Sequence, residues 1–393
     1  MTRPGDAPQM GRTVPPPFTP AEMHRRREAL DQVMRDAEVE HAVAYGANRS
    51  GSAVQWLTGW PVTREAVVVH SIAAADVLLV QFYNHVPQAR RVATDAEVRW
   101  AGPKTITTAV DELVARGVRA TSRVGVVGAL PFQAYESLRG SAGSVVDLTP
   151  AYYRLRQQKS AEELACLRRA AELTDLSCAA LRDGAAVGTT EYELGALVEG
   201  SYVRLGGTNY IHYFSITSMD RPQQSVPAQW PSDRRLAAGD VVCCELSTSY
   251  GVDYPGQLLR TFTVAAEPTP LYAELHAVAD EALHRVESVL APGVTPAEVV
   301  AAAGVIEDAG FTTVDDLVHG LGGGYLAPVF GSRSRTLAPL SPVSFAAGMT
   351  VVVQPNVTTS DGLAGVQTGE LLHVTADGCE RLHSFPRGLG RIG

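Results

Sequence analysis

The chain has 393 residues, of which 45% are apolar and 19% charged, and a formal net charge of −9. That composition is ordinary for a globular protein with a full core, and the length points to two domains. The acidic balance argues against a nucleic-acid partner, which demands a basic face. No apolar run approaches the 18 to 20 residues of a membrane span, so no membrane partner is expected.

Residues 1–18 are rich in Pro and Gly and lack the apolar core of a secretory signal; they read as a disordered lead-in. The five cysteines, Cys166, Cys178, Cys243, Cys244 and Cys379, are odd in number and form no CxxC. A disulfide framework or zinc knuckle is therefore not expected, and a reducing, cytoplasmic setting is. From Thr19 the pattern becomes regular. Thr19-Pro20 predicts a helix N-cap followed by Pro at the first helical position. The runs HAVAYGA, EAVVVH and ADVLLVQFY predict strands, TAVDELVARG a helix and RVGVVG a further strand. This alternation implies an α/β domain over residues 19–150. The texture changes at 151–160. Ser160 and Glu163 then form a capping-box pattern ahead of a long apolar periodicity, and a second domain is expected over 155–393. Thr190 with Glu193, and Thr295-Pro296 with Glu298, predict two more helix starts. VVCCEL, QLLRTFTV, MTVVVQ and ELLHVT predict strands.

Four stretches in the second half carry a family resemblance: GDVVCCELSTSYGVDYPGQLLRTF (239–262), HGLGGGYLAP (319–328), GMTVVVQPN (348–356) and GVQTGELLHVTADGCERLHSFPR (365–387). In order and spacing they resemble the pita-bread aminopeptidase/creatinase family, which includes aminopeptidase P, prolidase and creatinase. WLTGW (56–60) resembles a segment of the creatinase-type N-terminal domain. The resemblance implies an α/β N-terminal domain followed by an α+β pita-bread domain. It also implies a homodimer in which the N-terminal domain covers the partner's pocket.

Peptidases of that family hold two divalent metals with two Asp, one His and two Glu. The hard carboxylates offset the cations, and the metals acidify a bound water. Carried over position by position, the first Asp falls on Glu245 and the second on Gln257. The His falls on His319, one Glu on Gln354 and the last on Gly369, with Glu370 one step along. Two carboxylates have become amides and one position carries no side chain. The expectation is a centre with no metal and no other cofactor. Creatinase works without metal, but its base position falls on Ala228 and its acidic residue on Leu259, so creatine is not the expected substrate. The peptidases' substrate-facing His falls near Leu326.

The catalytic candidates are His319, Glu245 and Glu370. His319 suits proton transfer near neutral pH. Glu245 ends a buried strand, where a carboxylate needs a partner; the plain alternative is a salt bridge to Arg260. Glu370 reaches the Gly369 position only through a one-residue bulge. Gln257, Gln354, Gln367, His212 and Tyr325 are the candidate substrate contacts, the glutamines because an amide both donates and accepts. The plain alternative for each is a self-satisfied core network. Three functions compete: a metal-independent, creatinase-like enzyme cleaving a C–N bond in a small polar molecule, a non-catalytic ligand-binding protein, and a noncanonical Xaa-Pro-type metallopeptidase.

Overall fold

The computed structural model describes residues 18–48, 53–251, 253–337, 339–340 and 342–393. Most of the expected N-terminal tail lies outside them. Phe18, assigned to that tail, is instead packed: the Arg26 guanidinium sits 3.9 Å over its ring, and Tyr254 meets it edge-on at 5.6 Å.

The first half builds one six-stranded sheet. Its strands are β1 (His41–Ala47), β2 (Glu65–Ser71), β3 (Asp76–Val80), β4 (Ala96–Trp100), β5 (Arg123–Val127) and β6 (Ser144–Asp147). They lie in the order β4-β3-β2-β1-β5-β6, with β1, β2 and β3 antiparallel and the outer pairings parallel. The apolar runs are nearly continuous because helices cover both faces. Ala42, Ala44, Val68 and Leu78 pack under α1 (Pro20–Asp36), α2 (Ala53–Thr58), α3 (Val86–Val92) and the later α6 (Thr149–Gln157). Val43, Val67, Val69 and Leu79 pack under α4 (Thr105–Ala115) and α5 (Phe132–Arg139).

The second half opens with α7 (Ala161–Gly184) and α8 (Glu191–Tyr202), each begun by the expected capping box. The strands that follow are β7 (Thr208–Ser218), β8 (Asp240–Ser249) and β9 (Pro255–Val264). After α9 (Pro270–Val289), α10 (Pro296–Ala302) and α11 (Val305–Asp308) come the short β10 (Thr312–Thr313), then β11 (Val318–Leu321), β12 (Tyr325–Phe330), β13 (Thr350–Val353), β14 (Val357–Thr358), β15 (Gly369–Val374), β16 (Cys379–Arg381) and β17 (Gly390–Ile392). The main sheet runs β12-β11-β13-β15-β9-β8-β7, with β16 beside β15 and β17 beside β9. On its outer face α7 and α8 cover Cys244, Leu246, Leu258 and Phe262, while α9 covers Val351, Val353, Leu372 and Val374. The architecture is the expected one: an α/β N-terminal domain and an α+β pita-bread domain.

A buried carboxylate joins the two halves. Glu163, in the first turn of α7, closes its capping box by accepting the Ser160 N–H at 3.0 Å. It also accepts from Arg26 of α1 at 3.1 Å, Trp56 of α2 at 3.3 Å and the Tyr254 hydroxyl at 2.8 Å. Arg26 is 1% exposed and also donates to Glu22 and to the Trp56 carbonyl. Removing one partner of a buried pair leaves the other charge uncompensated. Arg26→Leu is therefore expected to lower the unfolding free energy by about 3–5 kcal/mol, measured by urea titration; a loss below about 1 kcal/mol, the level of an exposed pair, would contradict the clasp.

Candidate functional site

The polar side chains of the second sheet separate by strand alternation, since neighbouring residues point to opposite faces and directly paired residues share one. One cross-strand row is Tyr213, Glu245, Leu259 and Gly369; the adjacent row is His212, Leu246, Leu258 and Glu370. Leu246 and Leu258 belong to the helix-covered core. Glu245 and Tyr213 therefore share the inner face, and His212 and Glu370 the outer one.

Gln257 binds this inner face together. Its Nε2 donates to Glu245 Oε1 at 2.8 Å and to Gln354 Oε1 at 3.1 Å. Gln354, just past β13, donates to the Asp316 carbonyl at 3.2 Å. His319, on β11, is 2% exposed, and its Nδ1 lies 3.2 Å from the Gly320 carbonyl oxygen. Gly322, Gly323 and Gly324 all have positive φ, which lets the chain reverse sharply between β11 and β12. The Asp253 carbonyl accepts the N–H groups of Gly323 and Gly324, at 2.5 and 3.2 Å. The reversal lays Tyr325 on His319 with ring centroids 4.3 Å apart and an interplanar angle of 22°. The glycine run thus shapes this turn.

Two acidic residues absent from the sequence-derived candidates complete the centre. Asp315 and Asp316 lie just ahead of β11, with the Asp316 carboxyl beside the Tyr325 hydroxyl. The signal was present as an adjacent acidic pair leading into the strand of His319. Burial, then the charges of Asp315 and Asp316, push the half-buried Glu245 carboxyl up to about 8. Burial, then the hydrogen bond and charge of Asp315, push Asp316 up to about 7. Burial drives His319 down to about 4, against smaller opposing contributions from Gly320, Asp315 and Gln354, so its imidazole is neutral at physiological pH.

The remaining candidates divide. Gln367 has its backbone N–H and carbonyl both bonded to Thr261 Oγ1 at 2.8 Å, and its side-chain oxygen is buried without a partner. His212 does not enter the pocket: it stacks on Phe214, 3.4 Å from Glu199 on α8. The bulge needed by Glu370 is not formed. Glu370 instead receives Arg260 at 2.5 Å, Arg381 at 2.6 Å and Arg387 at 2.9 Å. Burial would raise its carboxyl, but these arginines outweigh that and hold it at about 2. Arg260, considered as a partner for Glu245, is thus engaged by Glu370 on the opposite face.

The donors do not fit the two-metal set that the resemblance implies. Among the described residues, no group of three or more His, Cys, Asp or Glu side chains is placed to hold a metal ion. At Gly369, where the resemblance implies the last ligand, a Cβ would meet the Val353 oxygen at 2.8 Å and Gln354 Cα at 3.0 Å. Gln257 and Gln354 are spent on the amide chain to Glu245.

A carboxyl whose folded pKa exceeds its unfolded value binds protons more tightly when folded, so its contribution to stability falls as pH rises. For Glu245 that loss begins above the ordinary value near 4.5 and is complete through about 8. Glu245→Gln is therefore expected to gain thermal stability over the parent progressively from about pH 5 to about pH 9. Asp315, Asp316, Tyr213 and Tyr325 are the neighbouring groups that feel the Glu245 charge or act on it, and they are unchanged in this variant. A melting-temperature difference that does not change with pH would contradict the assigned environment.

Residues 165–376, more than half of the chain, match the model of metallopeptidase family M24, and residues 26–158 match the creatinase/prolidase N-terminal domain. An Xaa-Pro dipeptidase of Pyrococcus furiosus is 23% identical over 275 residues, covering 69% of this chain and 76% of its own. A probable dipeptidase PepE of Mycobacterium tuberculosis is 26% identical over 242 residues, covering 61% of this chain and 62% of its own length. The crystal structure of dipeptidase PepE from Mycobacterium ulcerans superposes with a TM-score of 0.79 at 22% identity, over 96% of this chain and all of that one, a likeness of fold. With both halves matched in order, the chain belongs to metallopeptidase family M24 and carries a creatinase/prolidase N-terminal domain.

Proposed function

We propose that the protein hydrolyses an amide C–N bond in a small polar molecule, using side chains alone at its centre. The observation that carries this reading is the Glu245–Gln257–Gln354 hydrogen-bond chain, which stands where relatives of this fold are expected to hold bridging carboxylates. An amide oxygen is neutral and offsets no cation charge, but it fixes the neighbouring acid and holds polar substrate groups.

On this reading His319, neutral and stacked under Tyr325, keeps its Nδ1 proton on the Gly320 carbonyl and accepts a substrate N–H at Nε2. Ionised Asp316 takes a proton from water, and the water oxygen bonds to the carbonyl carbon. Protonated Glu245 gives its proton to the departing nitrogen as the C–N bond breaks. The proton left on Asp316 returns to Glu245 and restores the starting state.

The test is turnover of an amide and dipeptide panel by chelator-treated protein, read by mass spectrometry alongside metal analysis. Undiminished turnover without metal is expected, with kcat reduced by about a hundredfold or more in His319→Ala and Glu245→Gln. Full activity in both variants, or no product from any substrate, would refute the reading. A second reading, an Xaa-Pro-type metallopeptidase, is favoured by the names of the matching relatives. It requires stoichiometric metal and cleavage of Xaa-Pro dipeptides that disappears on chelation. That result would replace the first reading.

A further inference from the structure

His70, on β2, points at α1, and its side chain is 4% exposed. Its Nδ1 lies 2.5 Å from Asp76 Oδ1 on β3, and its Nε2 lies 2.8 Å from Asp31 Oδ1 on α1. A neutral imidazole carries one N–H and leaves its other nitrogen an acceptor, whereas a carboxylate only accepts. Two ring nitrogens that each meet a carboxylate oxygen therefore both carry a proton, and the ring is an imidazolium. The second oxygen of each carboxylate faces an arginine: Arg27 Nε donates to Asp76 Oδ2 at 2.8 Å, and Arg35 lies 3.6 Å from Asp31 Oδ2. Each acid thus has an arginine on one oxygen and the ring on the other, which leaves the protons on the ring.

Among the described residues, the charged groups around the ring are Asp31, Arg27 and Arg35 from α1, Asp76 from β3, and Asp95 from the turn before β4, 3.5 Å from Arg27. His41 and Arg116 meet at the Ser71 hydroxyl, on the opposite face of β2. Burial by itself would lower His70 from the ordinary 6.5, but Asp76 and then Asp31 outweigh it and raise it. The network reaches the joint between the two halves through α1. Arg26 and Arg27 are consecutive there: Arg26 pairs with Glu163 at 3.1 Å and Arg27 with Asp76 at 2.8 Å. The two also donate to consecutive carbonyls of α2, those of Trp56 and Leu57. Without its second proton the ring would turn a lone pair on a buried carboxylate, and an unpaired buried charge is costly.

We propose that His70 is a proton-binding site that locks α1 onto the N-terminal sheet, and that loss of this proton at alkaline pH loosens α1 and, with it, the Arg26–Glu163 contact between the two halves. A histidine that binds its proton more tightly when folded contributes stability that is fully present below 6.5 and is lost as pH rises through the folded value. His70 therefore weakens the joint in the alkaline direction. The device lies outside the pocket of the second sheet and does not depend on the reaction carried out there.

The test uses the full chain labelled with carbon-13 at histidine Cε1 and followed by NMR from about pH 5 to about pH 10, with His70 assigned by the signal missing in His70→Gln. The His70 midpoint is expected above 6.5 in the parent and nearer 6.5 in Asp31→Asn. Asp31 lies at the edge of the network with its side chain 18% exposed, so the fold is expected to survive that change. Hydrogen exchange, read by mass spectrometry over the same range, is expected to speed up in α1 and in the first turn of α7 as His70 loses its proton. The expected increase is at least about tenfold beyond the intrinsic base-catalysed rise. In Asp31→Asn it is expected at lower pH. A midpoint at or below 6.5, a midpoint that Asp31→Asn leaves in place, or exchange that follows the intrinsic rise through the midpoint would overturn the proposal. If His70→Gln does not fold, the one histidine titration that Asp31→Asn displaces assigns the signal, and the same three outcomes decide.

Discussion

The two-residue alternation of the second sheet decides which polar side chain meets which. Glu245 and Gly369 lie in one cross-strand row, His212 and Glu370 in the next, and the two rows face opposite sides. A slip of one residue would exchange them and set Leu246 and Leu258, now under α7 and α8, into the pocket. The register is held on the outer face by Glu370, whose three arginines bridge β9, β16 and the C-terminal segment. The most strongly paired acid of the domain therefore acts as a fixed point behind the site.

The inner face shows the reverse electrostatics. Glu245, Asp315 and Asp316 crowd together around a neutral His319, and amides occupy the positions between them. Burial and like charge both disfavour ionisation of Glu245 and Asp316, pushing their carboxyls up to about 8 and about 7.

The joint between the halves is equally specific. Glu163 completes a helix cap and also receives Arg26, Trp56 and Tyr254, so the start of α7 is tied to the N-terminal domain and to the β8–β9 turn. The same turn, through the Asp253 carbonyl, holds the glycine reversal that carries Tyr325 onto His319. A continuous set of contacts thus runs from α1 to the pocket.

Much of this was legible in the residues. Capping boxes at Ser160, Thr190 and Thr295, the apolar strand runs and the motif order read directly, because caps and periodicity are local. The placing of Gln257 and Gln354 at positions where the resemblance implies carboxylates came from the same local signal, since each is a single position in a linear motif. What the sequence could not decide was which polar residues converge. His212 and Glu370 look equivalent to Glu245 in one dimension, and only the pairing of β7, β8, β9 and β15 turns them away. Asp315 and Asp316 gain their place only when β11 and β12 fold back on each other, and a side chain's surroundings depend on residues distant in the chain.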